Sequence, residues 1–304
     1  MSVFGAVFAR GSLEQRSSPD PGGALGVVAR RLSKESVMES RVQRLRVGPY
    51  RLVQQLEPGR MAERWLALNE ESESTHLAHR FRTGNGRFEQ RKLIDGIEKL
   101  APLSHPHILP IEKFTLGHDG SAWIVTPYTG NLEGLVTLAN LREEKGGQMS
   151  PSETERALVQ LLEAAEYAHA SGFHHGPLIA EEIMVDRRGS LSVELYGLGR
   201  LLASPAPTPA VEVTRDEVRS IVEIGYWLLT GLSADEPRIR ADRLMPRLDH
   251  RWDEWFNEGL DPMAGFMTAG DALAALPGMR REVELRPGTV RTVLGRFRRV
   301  LGAS

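Results

Sequence analysis

From Val218 to Leu229 the chain reads VRSIVEIGYWLL, a stretch of helical length whose apolar residues leave no wide polar face. A helix of that composition is too poorly amphipathic for a surface position and should be buried. What precedes it in the second half is also helical. Ser150-Pro151-Ser152-Glu153 combines an N-cap serine, a proline at the first helical position and a glutamate at the third. Leu158, Leu161, Leu162 and Ala165 then fall on one face. Two short strands, Ile183 to Val185 and Leu191 to Leu195, flank Arg187-Arg188-Gly189. The first half reads differently. Tyr50 to Val53 and Arg64 to Leu68 are strands around a Pro58-Gly59 turn, and His76 to Phe81 is a third. A Gly-rich break at Thr83 to Gly86 precedes a helical pattern from Arg87 to Leu103, and strands Ile108 to Phe114 and Ala122 to Val125 flank His118-Asp119-Gly120. This order predicts an α+β chain, with an antiparallel-sheet lobe over about 47–128 and a helical lobe over about 129–276.

Composition narrows the chemistry. The 304 residues include no cysteine, which excludes a Cys nucleophile, a CxxC redox pair and thiolate metal sites. No apolar run approaches the roughly 20 residues that cross a bilayer, and the N-terminus has no basic region ahead of its short apolar stretch. The expected location is cytoplasmic. The net charge of −2 conceals an asymmetry: residues 1–46 and 277–304 together carry +9, leaving −11 on residues 47–276. An acidic body argues against nucleic acid as a partner, because phosphate contacts need Lys and Arg. Residues 1–46 are expected to be a basic extension, disordered apart from a helix from about Ser33 to Arg46. At the other end, Val290, Val293, Leu294, Phe297, Val300 and Leu301 fall at helical spacing, with Arg291, Arg296, Arg298 and Arg299 elsewhere. That is a basic amphipathic pattern, suited to the helical lobe, a partner groove or an anionic membrane surface.

Five strings, in this order, resemble the bacterial Ser/Thr protein kinase family. VGPYRLVQQLEPGRMAERWLAL is similar to the first hairpin with its Gly-rich loop, and LSHPHILPI to the connection after the αC helix. AHASGFHHGPLIAEEIMV resembles the stretch ending in the catalytic loop, GSLSVELYGLGR the strand carrying D-F-G, and DEVRSIVEIGYWLLTG the central αF helix. The resemblance covers about residues 47–276 and implies a two-lobed protein kinase-like fold.

Carried over position by position, the catalytic machinery is degenerate. Phosphoryl transfer relies on positioned charges: a Lys on the phosphates, metal-binding Asp and Asn, and a catalytic Asp. Here the Lys position is His79, the αC Glu position is Gly96, the catalytic Asp is Pro177, the metal-binding Asn is Glu182 and the D-F-G Asp is Leu195. A slip of register would offer Asp95 or Glu98 in place of Gly96. The loop glycines read Glu57, Gly59 and Ala62. Arg64 and Leu77 replace smaller residues that border adenine in the family and would narrow the slot. By the resemblance Thr126 stands at the gatekeeper position, with Tyr128 and Thr129 on the hinge, and Met184 completes the implied nucleotide cleft. Only 19 residues separate Gly197 from Glu217, with no A-P-E to end a substrate platform. Packing positions are kept: Leu100, His175 and Tyr196 match spine residues, and Glu217 matches the acid that opens αF.

The resemblance therefore implies a pseudokinase, a regulatory or protein-interaction module in signalling with an unknown protein partner, no expected cofactor and no metal. The alternatives are an atypical ATP- and Mg-dependent kinase or nucleotidyl transferase with a reorganised cleft, and a nucleotide-binding sensor without catalysis. Blander readings stand beside the sharp ones. His175 is expected as a packed side chain rather than half of a metal pair with His174, His79 as a strand residue in a filled cleft, and Glu182 as a solvated surface carboxylate.

Overall fold

The alternating pattern of the first half forms a six-stranded antiparallel sheet in the order β1-β2-β3-β4-β6-β5. Its strands are β1 (Arg46–Val47), β2 (Tyr50–Gln55), β3 (Glu63–Asn69), β4 (Ser74–Phe81), β5 (Lys113–Leu116) and β6 (Ala122–Pro127). The computed structural model describes residues 46–81, 87–117, 121–130, 134–203, 208–235 and 237–279, with the backbone alone at 87–89. Outside those residues lie the expected Gly-rich break at Thr83 to Gly86, the turn at His118 to Gly120, the amphipathic pattern from Val290 to Leu301 and all of the N-terminal extension but Arg46. Arg46, the expected end of a helix, instead opens β1.

Register decides which side chains meet. Arg64 on β3 pairs with His79 on β4, and Leu77 and His79 pair with Thr126 and Ile124 on β6. Directly opposed residues share a face, so Arg64, Leu77, His79 and Thr126 project to the same side as Phe81 and Ile124. On that side helix α1 (Arg87–Leu100) packs Leu93, Ile97 and Leu100 against Phe81, Ala122 and Ile124. The helix stops three residues short of the expected Leu103, because Pro102 follows and the residue before a proline is driven out of helical geometry. The strand expected from Ile108 begins only at Lys113. His107 to Leu109, bracketed by Pro106 and Pro110, bonds instead to the later strand at Val193: Val193 N donates to His107 O at 3.0 Å, and Leu109 N to Val193 O at 2.9 Å.

The second half supplies α2 (Leu138–Glu144), α3 (Pro151–Ala170), a 3-10 turn at Ala180–Glu182, the hairpin β7 (Ile183–Val185) and β8 (Leu191–Val193), α4 (Leu198–Ala203) and α5 (Ala210–Thr230). The short helices α6 (Ala241–Leu244), α7 (Arg251–Gly259) and α8 (Ala269–Ala275) follow. The predicted cap of α3 forms as a reciprocal box: Ser150 Oγ accepts from Glu153 N at 3.3 Å, and Glu153 Oε2 accepts from Ser150 N at 3.0 Å. Helix α5 is the buried helix read from the sequence, with Ile221, Val222, Leu228 and Leu229 at 0% exposure. Each such side chain contributes about 1.5–3 kcal/mol on burial. A Cβ on its Gly225 would lie 2.8 Å from Leu158 Cδ2, so a glycine is what lets α3 and α5 approach. The helix begins at Ala210, eight residues before the expected start. Much of the short stretch between Gly197 and Glu217 is therefore helical, as α4 and the first turns of α5. No helix among the described residues is long and apolar enough to cross a membrane.

Candidate functional site

Where the sheet faces the helical half, the shared face of β3, β4 and β6 meets Glu194, just beyond β8. Arg64 and Glu194 are both buried, at 3% and 5% side-chain exposure, and pair directly. Arg64 Nε donates to Glu194 Oε2 at 3.1 Å, its Nη2 also reaches Glu194 Oε1, and the same Nη2 donates to the Glu181 carbonyl at 3.0 Å. The turn before β3 closes on the guanidinium. A Cβ on Gly59 would sit 2.9 Å from Arg64 Nε, so the surviving loop glycine makes room for this cation.

His79 completes the cluster. It is 1% exposed, its Nε2 lies 3.2 Å from Thr126 Oγ1, and its Nδ1 lies 3.8 Å from Glu194 Oε2. Burial, with Arg64 second, pushes its pKa down to about 3, so the ring is neutral and joins as a polar neighbour. Burial raises the Glu194 pKa and Glu182 adds to the rise, while the Arg64 hydrogen bond and charge pull it back. The pair is compensated, but at the cost of desolvating both ions.

Leu195, at the D-F-G Asp position, is 3% exposed and packs in the apolar cluster of Leu93, Ile97, Leu100 and Leu198. Its φ of 47° is left-handed, a conformation that costs an L-residue roughly 1–2 kcal/mol. Pro177 is exposed and has no acceptor side chain. Gly96 faces α4, where a Cβ would meet Leu198 Cδ1 at 3.4 Å; Asp95 and Glu98 are exposed, so neither supplies the acid that a register slip would offer. Glu182 corrects the expectation of a solvated carboxylate. It is 4% exposed, with Oε2 3.5 Å from Arg60 Nη1, because the 3-10 turn rotates it inward while Glu181 stays outside. Leu77 and Met184 are fully buried. Tyr128 and Thr129 line a cavity of about 640 Å³ with Gln54, Leu66 and Arg187. There the Thr129 hydroxyl is buried with no hydrogen-bond partner among the described residues, and burial raises the Tyr128 pKa against the pull of Arg187.

A second polar centre lies under the loop from His174 to Leu178. Buried Glu217 Oε2 accepts from His175 N at 2.7 Å and Gly176 N at 2.9 Å, while its Oε1 accepts from Tyr196 Oη and lies 3.2 Å from His169 Nε2. Burial alone would raise the Glu217 pKa, but these donors outweigh it and hold the carboxyl below its ordinary value. His175 packs edge-on to Tyr196 with centroids 5.3 Å apart, and His174 stacks on His169 at 4.9 Å. The two adjacent histidines thus serve different neighbours.

Among the described residues no three His, Asp or Glu side chains group as a metal site. The cleft residues do not fit a magnesium nucleotide held in the family's manner. Of the two buried carboxylates here, Glu194 is tied to Arg64 and Glu182 lies beside Arg60, and an apolar Leu195 stands where the resemblance would put the metal ligand. Sequence reasoning missed Glu194, the residue around which the cluster is built. Its signal was present: a lone acid in the apolar string LSVELYGL requires a buried cation.

No family model matches the chain. Among curated proteins it is 24% identical over 253 residues to CBL-interacting protein kinase 31 of rice, covering 75% of this chain and 54% of that one. It is 38% identical over 105 residues to CBL-interacting protein kinase 1 of rice, covering 34% and 22%. A serine/threonine-protein kinase of Yarrowia lipolytica is 28% identical over 138 residues, covering 43% and 19%. The chain thus spans between about a fifth and about half of the length of these relatives. The antiparallel sheet followed by a helical half, together with these low-identity Ser/Thr kinase relatives, supports a protein kinase-like domain.

Proposed function

We propose that this domain is a pseudokinase, a kinase-like fold that serves as a regulatory or protein-interaction module in cytoplasmic signalling and transfers no phosphate. The observation that carries this reading is the Arg64–Glu194 pair with His79. These side chains fill the space in which a nucleotide would have to meet a lysine and a metal-binding acid. Leu195 and Pro177, at the positions of the D-F-G Asp and the catalytic Asp, carry no acid.

The test is incubation of the pure protein with labelled ATP, generic protein substrates and Mg²⁺ or Mn²⁺, with a thermal-shift titration alongside. The expected result is no turnover and no ATP-dependent shift. Turnover that is lost on His79→Ala would overturn the proposal. A second reading, nucleotide binding without turnover, is favoured by the 640 Å³ cavity beside Tyr128 and Thr129. The same titration separates the two, since ligand at about 100 times its Kd adds roughly 2.7 kcal/mol of stability.

A further inference from the structure

On the helical half, a groove of about 610 Å³ lies between the loop after Pro177, helix α5 and the turn after α7. Its floor includes Ile179, Ile224 and Leu260, and its rim carries Glu181, Glu223 and Asp235. Ile179 is 37% exposed, a large apolar side chain facing water beside acids. Among the described residues Glu223 pairs with Arg219, which also lines the groove, at 3.1 Å. Apolar floor and acidic rim together specify an occupant that is apolar on one side and basic on the other.

We propose that the occupant is this chain's own C-terminal segment, residues 290–301. Three observations select it. The segment repeats Val293, Leu294, Phe297, Val300 and Leu301 at the spacing that makes one helical face, the form in which a peptide fills an apolar groove. Residues 280–304 carry seven Arg against two Glu, a net +5 opposite the acidic rim and a body of −11. The described residues end at Met279, and the ten residues before Val290 span up to roughly 33 Å when extended. A tether of that length gives an effective concentration on the order of millimolar, so a weak docking contact suffices.

The absence of native cysteine makes the test direct. In the full-length protein, Ala234→Cys on the groove is combined with Arg298→Cys, and a control pairs Glu71→Cys, in the turn between β3 and β4, with Arg298→Cys. Under dilute mild oxidation the first pair is expected to close within one chain at least about tenfold faster than the control. Hydrogen exchange is read in parallel on the protein without added cysteines. Amides of 293–301 are expected to be protected at least about tenfold over the free segment, with protection lost in Phe297→Asp, which leaves the groove untouched, and in Ile179→Asp, which leaves the segment untouched. Equal closure rates for the two pairs, disulfides between two chains, or random-coil exchange of the segment would each overturn the proposal. So would protection that appears only when anionic phosphatidylserine vesicles are added.

Discussion

Glu194→Gln isolates the charge of the buried pair from its shape. Glutamine fills the same volume and still offers Arg64 a carbonyl acceptor, but it leaves a guanidinium of 3% exposure with no counter-charge. Removing one member of a buried ion pair costs about 3–5 kcal/mol, and the retained acceptor places the expected loss near the lower figure. A domain of this kind has about 5–15 kcal/mol in total. Since about 1 kcal/mol moves the Tm by roughly 2–4 °C at this size, the melting temperature should fall by about 6–12 °C. Arg64→Met combined with Glu194→Met removes both charges and refills the space. It should recover most of that loss, because replacing a whole buried pair by apolar groups is often neutral or better. The remaining deficit, about 1 kcal/mol, belongs to the Glu181 carbonyl that loses its Arg64 donor. Urea unfolding followed by circular dichroism reads all three proteins. A loss below about 1 kcal/mol for Glu194→Gln would mean that water reaches the pair and the slot is open, and the pseudokinase argument would lose its main support. A double variant as unstable as the summed losses of Arg64→Met and Glu194→Met, each measured alone, would show that packing, and not charge, is what the pair supplies.

Acid should destabilise the fold. His79 is neutral when folded, with its pKa pushed down to about 3, whereas the unfolded chain takes up that proton near pH 6.5. Between those values the unfolded state binds more protons, so stability falls as pH falls, by about 2 kcal/mol at pH 5 from His79 alone. His105 and His174, both lowered chiefly by burial, act in the same direction, while the raised Glu194 offsets part of the loss where its carboxyl protonates in the fold. Urea midpoints at pH 8 and pH 5 measure the slope, and His79→Gln should flatten it; an unchanged slope would refute the assignment. Tyr196→Phe removes one donor from the buried Glu217 carboxylate and should cost about 1.5–3 kcal/mol by the same assay. Gly59→Ala places a methyl 2.9 Å from Arg64 Nε and should cost about 1 kcal/mol, a penalty expected to vanish in an Arg64→Val background.

What could be read from the sequence was what repeats locally. The apolar run from Val218, the capping box at Ser150 and the hairpin around Pro58-Gly59 each carry their signal within a few residues, and each element is present. Boundaries failed where proline overrode the hydrophobic pattern, at Pro102 and Pro110, since apolarity does not report a missing N–H. Glu182 was misread for a related reason. Its neighbours Glu181 and Asp186 look like a solvated run, and only the tight turn at Ala180–Glu182 sends one of these acids inward. The central pair was hidden by distance along the chain: Arg64 and Glu194 are 130 residues apart. Each alone reads as a charged interruption of a strand, and no local pattern links them.

That separation also bears on mechanics. Arg64 belongs to the sheet, while Glu194 and Glu181 belong to the helical half, so the three hydrogen bonds of one guanidinium fasten the two halves together. A cleft that closes on a ligand gains its closing energy only when the ligand arrives, and its halves move apart when it leaves. Here the closing contacts come from side chains of the chain itself and need no ligand. A fold fastened in this way offers a partner one fixed arrangement of its outer surfaces, and its binding energy is not spent on ordering the halves. The same fastening explains why a desolvated ion pair, a weak means of adding stability, would persist in the slot: its geometric demand for Arg64, Glu194 and the Glu181 carbonyl together admits one relative placement of sheet and helices, where a greasy plug would admit several.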